Sequence, residues 1–319
     1  MLGLKKLDSK EDWTWIEALI DRTMKESMLL EQASQYFEPK PASLFASKEV
    51  EDRINKNFNA LNRQMGGAPD IFIISEGAKM DDVYDNFCWN AIIEMTSLFW
   101  RTRNNVIKTH AYFITRSITE SPEAIECELS QDVRAAMSFC AKEEFWNNSE
   151  IAYIRLASLW DRVGQLLDYV FFNIRQYERD GFPTVLDRIK ANYVPVDKQV
   201  EKCAFWKGIT NYAYNEDPYG MKWLLRRRNL LIHSIHLCEP SRADENELKL
   251  KFHYNHLAES VKNKLKAMLP HEEVNCLHNH LARFSDLFEP ISELCLWGNK
   301  LLSDMRKEKD SWIRNQENV

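Results

Sequence analysis

Only nine of the 319 residues are glycine, and apolar residues recur over long stretches at three- and four-residue spacing between short polar breaks. Strand-rich chains need frequent turns and period-two alternation, so this pattern predicts an all-α chain, a multi-helix bundle. At 45% apolar residues the chain can fill a substantial core. The charges nearly balance, 42 basic against 48 acidic for a net of −6. That excludes a polycation that coats nucleic acid indiscriminately, and any nucleic-acid contact has to come from a local patch.

Seven cysteines are scattered without a CxxC pair. An odd, dispersed set reads as reduced thiols rather than a disulfide framework. The N-terminal "MLGLKKLDSKEDW" has no apolar signal core, and no apolar run approaches the length needed to cross a bilayer. The expectation is a soluble cytoplasmic protein with no membrane partner.

The first helix is predicted to start at Asp8 or Ser9, with Trp15, Leu19, Ile20 and Met24 on its apolar side, and to end near residue 37. A second runs from Ser47 to Gly66 and Gly67. "PDIFIISEG" reads equally as a short strand or a buried turn, and "LKLKFHY" has the alternation of a strand. A long helix spans about Met80 to Arg116 and carries Ile92, Met95, Phe99, Val106 and Phe113, with Ser121 and Pro122 starting the next. Ser149 is predicted to cap another helix, which carries Val163, Leu166, Leu167 and Val170. Helices from Thr184 and at about 197–214 follow, then a segment opened by Asp217 and Pro218 and closed by Pro240, and last two helices over His256 to Lys307 that break at Pro270. If the chain holds two domains, "NNS" at 147–149 is the natural boundary, dividing residues 1–148 from 149–319.

One segment breaks the apolar pattern: "RRRNLLIHSIH", residues 226–236. On a helix Met221, Leu224, Leu225, Leu231, Ile232 and Ile235 form a stripe, and Arg228 falls close to its middle. An unpaired guanidinium in a packing face is costly, so Arg228 is expected to be ion-paired, at an interface or lining a cleft. Arg226, Asn229, His233 and His236 line the adjoining strip, whereas Arg226 and Arg227 taken alone read as solvated charges.

"RNLLIH", Arg228 to His233, resembles the Arg-(Asn/Asp/His)-x-x-x-His signature of the HEPN superfamily, all-α domains of prokaryotic toxins, abortive-infection proteins and CRISPR-associated ribonucleases. The resemblance extends over 149 to about 306 in helix order only. It implies an HEPN-like bundle in the C-terminal half and RNA cleavage without metal or cofactor, the ribose 2′-hydroxyl attacking the neighbouring phosphate to leave a 2′,3′-cyclic phosphate. The residue types suit that chemistry. His233 can move a proton near neutral pH, Arg228 can hold phosphate and stabilise developing charge, and Asn229 can orient either. Arg226, Arg227 and His236 are the candidate RNA-phosphate contacts. Arg228 and His233 lie about 140° apart around a helix, which family members resolve by pairing two motif helices across a dimer. Relatives also use a charged residue on the first helix of the domain. Asp161 and Arg162 are the candidates here, although an ordinary surface salt bridge suits both.

"RNNVIKTH" places Arg103 and His110 seven residues apart on one face of the third helix. This longer spacing is also tolerated in the family and makes them a second catalytic candidate. It raises the idea that residues 1–148 are a degenerate second bundle, so that the composite site forms within one chain instead of between two. The alternative is a buried pair satisfied by Asp82, Glu94 or Asp132. Cys276-x-His278-x-His280 offers two ligands on one helix face where structural zinc wants four, so no metal site is expected. The function expected is an RNA-cleaving homodimer or internal pseudo-dimer in phage defence or a toxin–antitoxin or stress response, with an antitoxin or activating partner. The rivals are a non-catalytic HEPN-like module that binds a nucleotide or protein, and a helical adaptor with Arg228 in a buried ion pair.

Overall fold

The computed structural model describes residues 10–36, 44–65, 87–119, 130–172, 181–233 and 269–317. Among these the chain is all-α, with no strand. The helices are α1 (Lys10–Tyr36), α2 (Lys48–Met65), α3 (Phe87–Thr119), α4 (Gln131–Phe172), α5 (Phe182–Asn192), a 3-10 turn (Lys198–Lys202), α6 (Ala204–Ala213), α7 (Met221–His233) and α8 (Pro270–Glu317). No described helix is long and apolar enough to cross a membrane. "PDIFIISEG", "LKLKFHY", Ser121 and Pro122 lie outside the described residues.

α4 is the axis of the bundle. From Ala152 to Phe171 it buries residues on nearly all sides, as expected of a helix surrounded by others. α3 packs along one face of it. There Asn105 Nδ2 donates to Asn148 Oδ1 at 3.0 Å, Arg155 donates to the Arg101 carbonyl at 3.1 Å, and Arg162 pairs with Glu94 at 2.9 Å. α5, α7 and α8 pack against the remaining faces. Trp160 is fully buried against Phe182, Tyr212 and Phe284, and Phe284 also meets Phe99, so one aromatic cluster ties α3, α4, α5, α6 and α8 together. α2 lies on α8 through Asn57 and Ser292 at 2.9 Å and an Arg53–Glu289 ion pair.

Several boundaries differ from expectation. α4 runs unbroken through 147–149, where Ser149 was expected to cap a new helix. Ser149 is buried and its hydroxyl donates to the Phe145 carbonyl, the back-bond of a mid-helix serine. The hydrophobic core draws on both sides of 147–149, from Ile54 and Phe99 to Leu224 and Phe288. The helix expected over 197–214 is broken at Cys203, whose backbone is extended (φ −68°, ψ 141°). Of the apolar side expected on α1, Leu19, Ile20 and Met24 are exposed. Ser47 does cap α2, its Oγ accepting from Val50 N at 3.3 Å, and Pro270 is the first residue of α8.

Candidate functional site

The motif helix is set up by the turn before it. Asn215 Oδ1 accepts from Asp217 N at 2.8 Å, and Gly220 N donates to the Asp217 carbonyl at 2.8 Å. A side chain at Gly220 would overlap the Asn215 backbone, so the turn needs glycine there. The Pro218 carbonyl is held from α8 by two groups, Cys276 Sγ at 3.1 Å and His280 Nε2 at 2.9 Å. His280 Nδ1 meets Tyr212 OH at 3.0 Å, and its ring stacks on Trp223. Burial pushes the His280 ring down to about 4 and the Cys276 thiol up to about 12, so both are neutral. Two members of the tract that resembles a metal motif therefore anchor the start of α7. No cluster of three or more metal-ligating side chains occurs among the described residues.

α7 is rotated by about one residue from the orientation its apolar pattern suggests. The buried arc holds Met221, Trp223, Leu224 and Arg227, and Ile232 is 47% exposed. Arg227, expected on the surface as a phosphate contact, is the arginine in the packing face. Its side chain is 3% exposed and ion-paired with Glu273 at the start of α8, which is 0% exposed. The guanidinium lies 5.2 Å from the ring centroids of both Tyr153 and Trp223, and Tyr153 OH donates to Glu273 Oε2 at 2.5 Å. Buried guanidinium, carboxylate and hydroxyl thus bond one another, with Arg227 Nε left without a hydrogen-bond partner, and Arg227 has no surface from which to reach RNA.

Arg228 sits at the edge of that arc, half-buried. Its guanidinium faces Asp161 of α4 at 3.6 Å and donates to Asn229 Oδ1 at 3.0 Å, while its Nε is buried without a hydrogen-bond partner. At 3.6 Å the ion pair is loose, and the group keeps donors for a further acceptor. Burial raises the pKa of the Asp161 carboxyl, an effect opposed by Arg228 and then Arg162. Of the two candidates on α4, Asp161 is therefore the one brought to the motif, and Arg162 turns to Glu94. Asp161 also borders Gly181, the N-cap of α5. Asn229 is exposed, and His233 closes α7 one turn further on. Arg226 pairs with Glu216 at 3.1 Å on the surface. His236 lies outside the described residues.

Arg103 and His110 are separate from this cluster. Arg103 is buried and stacks over Trp100 at 5.1 Å, with no carboxylate in ion-pair range among the described residues; burial lowers its pKa. His110 Nδ1 meets His278 Nε2 of α8 at 3.2 Å. Burial lowers both rings, and His278, also beside His110, falls to about 4. Of the carboxylates considered as partners, Glu94 pairs with Arg162, Asp132 is exposed, and Asp82 lies outside the described residues. α3 packs on the α4 face that carries Asn148, Arg155 and Arg162, whereas α7 meets Tyr153 and Asp161. The two arginine–histidine pairs thus lie against different faces of α4, and no bond joins them among the described residues.

Comparison with protein-family models, curated proteins and solved structures returns no match for this chain. The chemistry is read from the residues themselves. Tyr153 and Glu273 escape sequence reading, since a tyrosine and a glutamate 120 positions apart carry no local pattern.

Proposed function

We propose that this chain is a ribonuclease of HEPN type, in which Arg228, Asn229 and His233 act on RNA by 2′-hydroxyl attack on the adjacent phosphate. The observation that carries the reading is the state of Arg228. It is half-buried, only loosely paired with Asp161, bonded to Asn229 and one residue from the Arg227–Glu273 lock that holds the helix in rotation. A guanidinium held in place with donors uncommitted suits an anionic transition state. His233, as a neutral imidazole, would take the 2′-hydroxyl proton and, once charged, give one to the leaving 5′-oxygen.

Arg228 and His233 diverge by about 140° around α7, and Arg103 and His110 belong to α3, which packs against another face of α4. These two features support a composite site built from two copies of α7 in a homodimer over one built from two halves of one chain. A defence or stress setting, with an antitoxin or activator, rests on the family resemblance alone.

The Arg228–Asp161 pair also favours a second reading, a non-catalytic module in which Arg228 anchors a ligand or an interface. Incubation with RNA and its all-2′-deoxy counterpart in EDTA separates the two. The ribonuclease cuts RNA alone and leaves 2′,3′-cyclic phosphate ends; the binding module leaves both strands intact.

A further inference from the structure

An open groove of about 660 Å³ lies between the C-terminal end of α5, α6 and the turn into α7. Its aromatic members are Trp206, almost wholly buried, and Tyr214, half-buried. The Tyr214 hydroxyl donates to Asp187 Oδ1 at 2.5 Å, which fixes the ring. Two ammonium groups flank that ring, Lys190 Nζ at 5.6 Å and Lys222 Nζ at 6.0 Å from its centroid. Neither Lys190 nor Lys207, both lining the groove, has a carboxylate in ion-pair range among the described residues. Asn211, Asn215 and the acidic Glu201 and Asp217 complete the wall, offering acceptors as well as donors.

A ring held by its hydroxyl, cations free for an anion, and amide and carboxylate edges together match a nucleotide. The base can stack on Tyr214, since stacking on an aromatic ring outweighs an exposed cation–π contact, and the displaced ammonium is then free for phosphate. The carboxylates and amides suit the exocyclic amino group and ring nitrogens of a base edge.

On a regular helix Lys222, Arg226, Asn229 and His233 fall on one face, within about 60°, along about 16 Å. Lys222 contributes to the Tyr214 cluster, and Lys222 and Arg226 share Glu216, so two cations there face one carboxylate. We propose that the groove is a substrate subsite for single-stranded RNA: one nucleotide seats on Tyr214 with its phosphates on Lys190 and Lys207, and the strand runs along α7 to Asn229 and His233. This rests on the ribonuclease reading and adds where the RNA lies.

The test uses the full chain carrying His233→Ala, so that RNA stays intact, and a fluorescein-labelled short single-stranded RNA in EDTA, read by anisotropy across a salt series. Adding the surface changes Lys190→Glu and Lys207→Glu is expected to weaken binding at least about tenfold and to flatten the log–log salt slope by about 1.4, the share of two phosphate contacts. Adding Tyr214→Leu instead is expected to weaken binding about fivefold or more, within the range for loss of one stacked base, without changing the slope. Cleavage by the unsubstituted chain is measured beside it. If that chain cuts RNA while the groove variants bind like their parent, the subsite is overturned and the ribonuclease stands. Groove-dependent binding without cutting keeps the groove as a nucleotide site and removes the catalytic reading; neither binding nor cutting overturns both.

Discussion

Arg227 and Arg228 are adjacent in a run of three arginines, and their surroundings give them opposite roles. Arg227 is locked to Glu273 in the core, so Glu273→Ala is expected to cost about 3–5 kcal/mol by stranding a buried guanidinium. Joint replacement of Arg227 and Glu273 by methionine and leucine should recover most of that loss in urea denaturation. Arg228 is part-exposed and loosely paired, and Arg228→Ala should cost no more than about 1 kcal/mol. A run of arginines reveals on its own only that one of them must face inward. Which one does depends on Tyr153 and Glu273 across the core, and those are remote in sequence. The buried histidines supply a pH signature. Unfolded, His278 and His280 take a proton near pH 6.5; folded, each resists protonation down to about 4. Between those values the unfolded state binds more protons, so stability rises with pH and is lost as pH falls through the window, on the order of 3 kcal/mol per histidine. Denaturation midpoints at several pH values check this, and His278→Gln should flatten the slope.

At the scale of elements, helix class and many of the ends were legible because apolar period and caps are local properties; Ser47 capping α2 and Pro270 opening α8 are examples. The break expected at 147–149 was not there, because two of its three polar side chains find partners inside the bundle. Asn148 bonds Asn105 on α3 and the Glu144 carbonyl, and Ser149 bonds the Phe145 carbonyl. Asn148 thus has a partner on α3 and Ser149 one in its own helix, while Asn147 stays exposed. The rotation of α7 escaped for a similar reason, since Trp223 and Arg227 are buried by Tyr153, His280 and Glu273 and not by apolar period. α4 and the start of α5 approach closely at Gly164, where an added Cβ would lie 3.0 Å from Phe182 N and 3.1 Å from Phe182 Cα. Gly164→Ala must therefore push backbone apart, at about 1–3 kcal/mol. The strain falls on the Gly181 cap beside Asp161, so if the chain is the ribonuclease proposed above, RNA cleavage should drop along with the melting temperature.

For the whole molecule, the central question is how Arg228 and His233, divergent on one helix, come to act together. If two copies of α7 supply the composite site, as proposed, light scattering should give twice the 37.6 kDa chain mass. A monomer that cuts RNA at full rate would contradict the dimeric site. The most direct measurement is the rate of RNA cleavage in EDTA by the wild-type chain and by His233→Ala, with melting temperatures recorded for both. The account predicts a loss of at least about 10²-fold with the fold retained, the share typical of a general acid–base group. A His233→Ala protein that melts normally and cuts at the wild-type rate would contradict it.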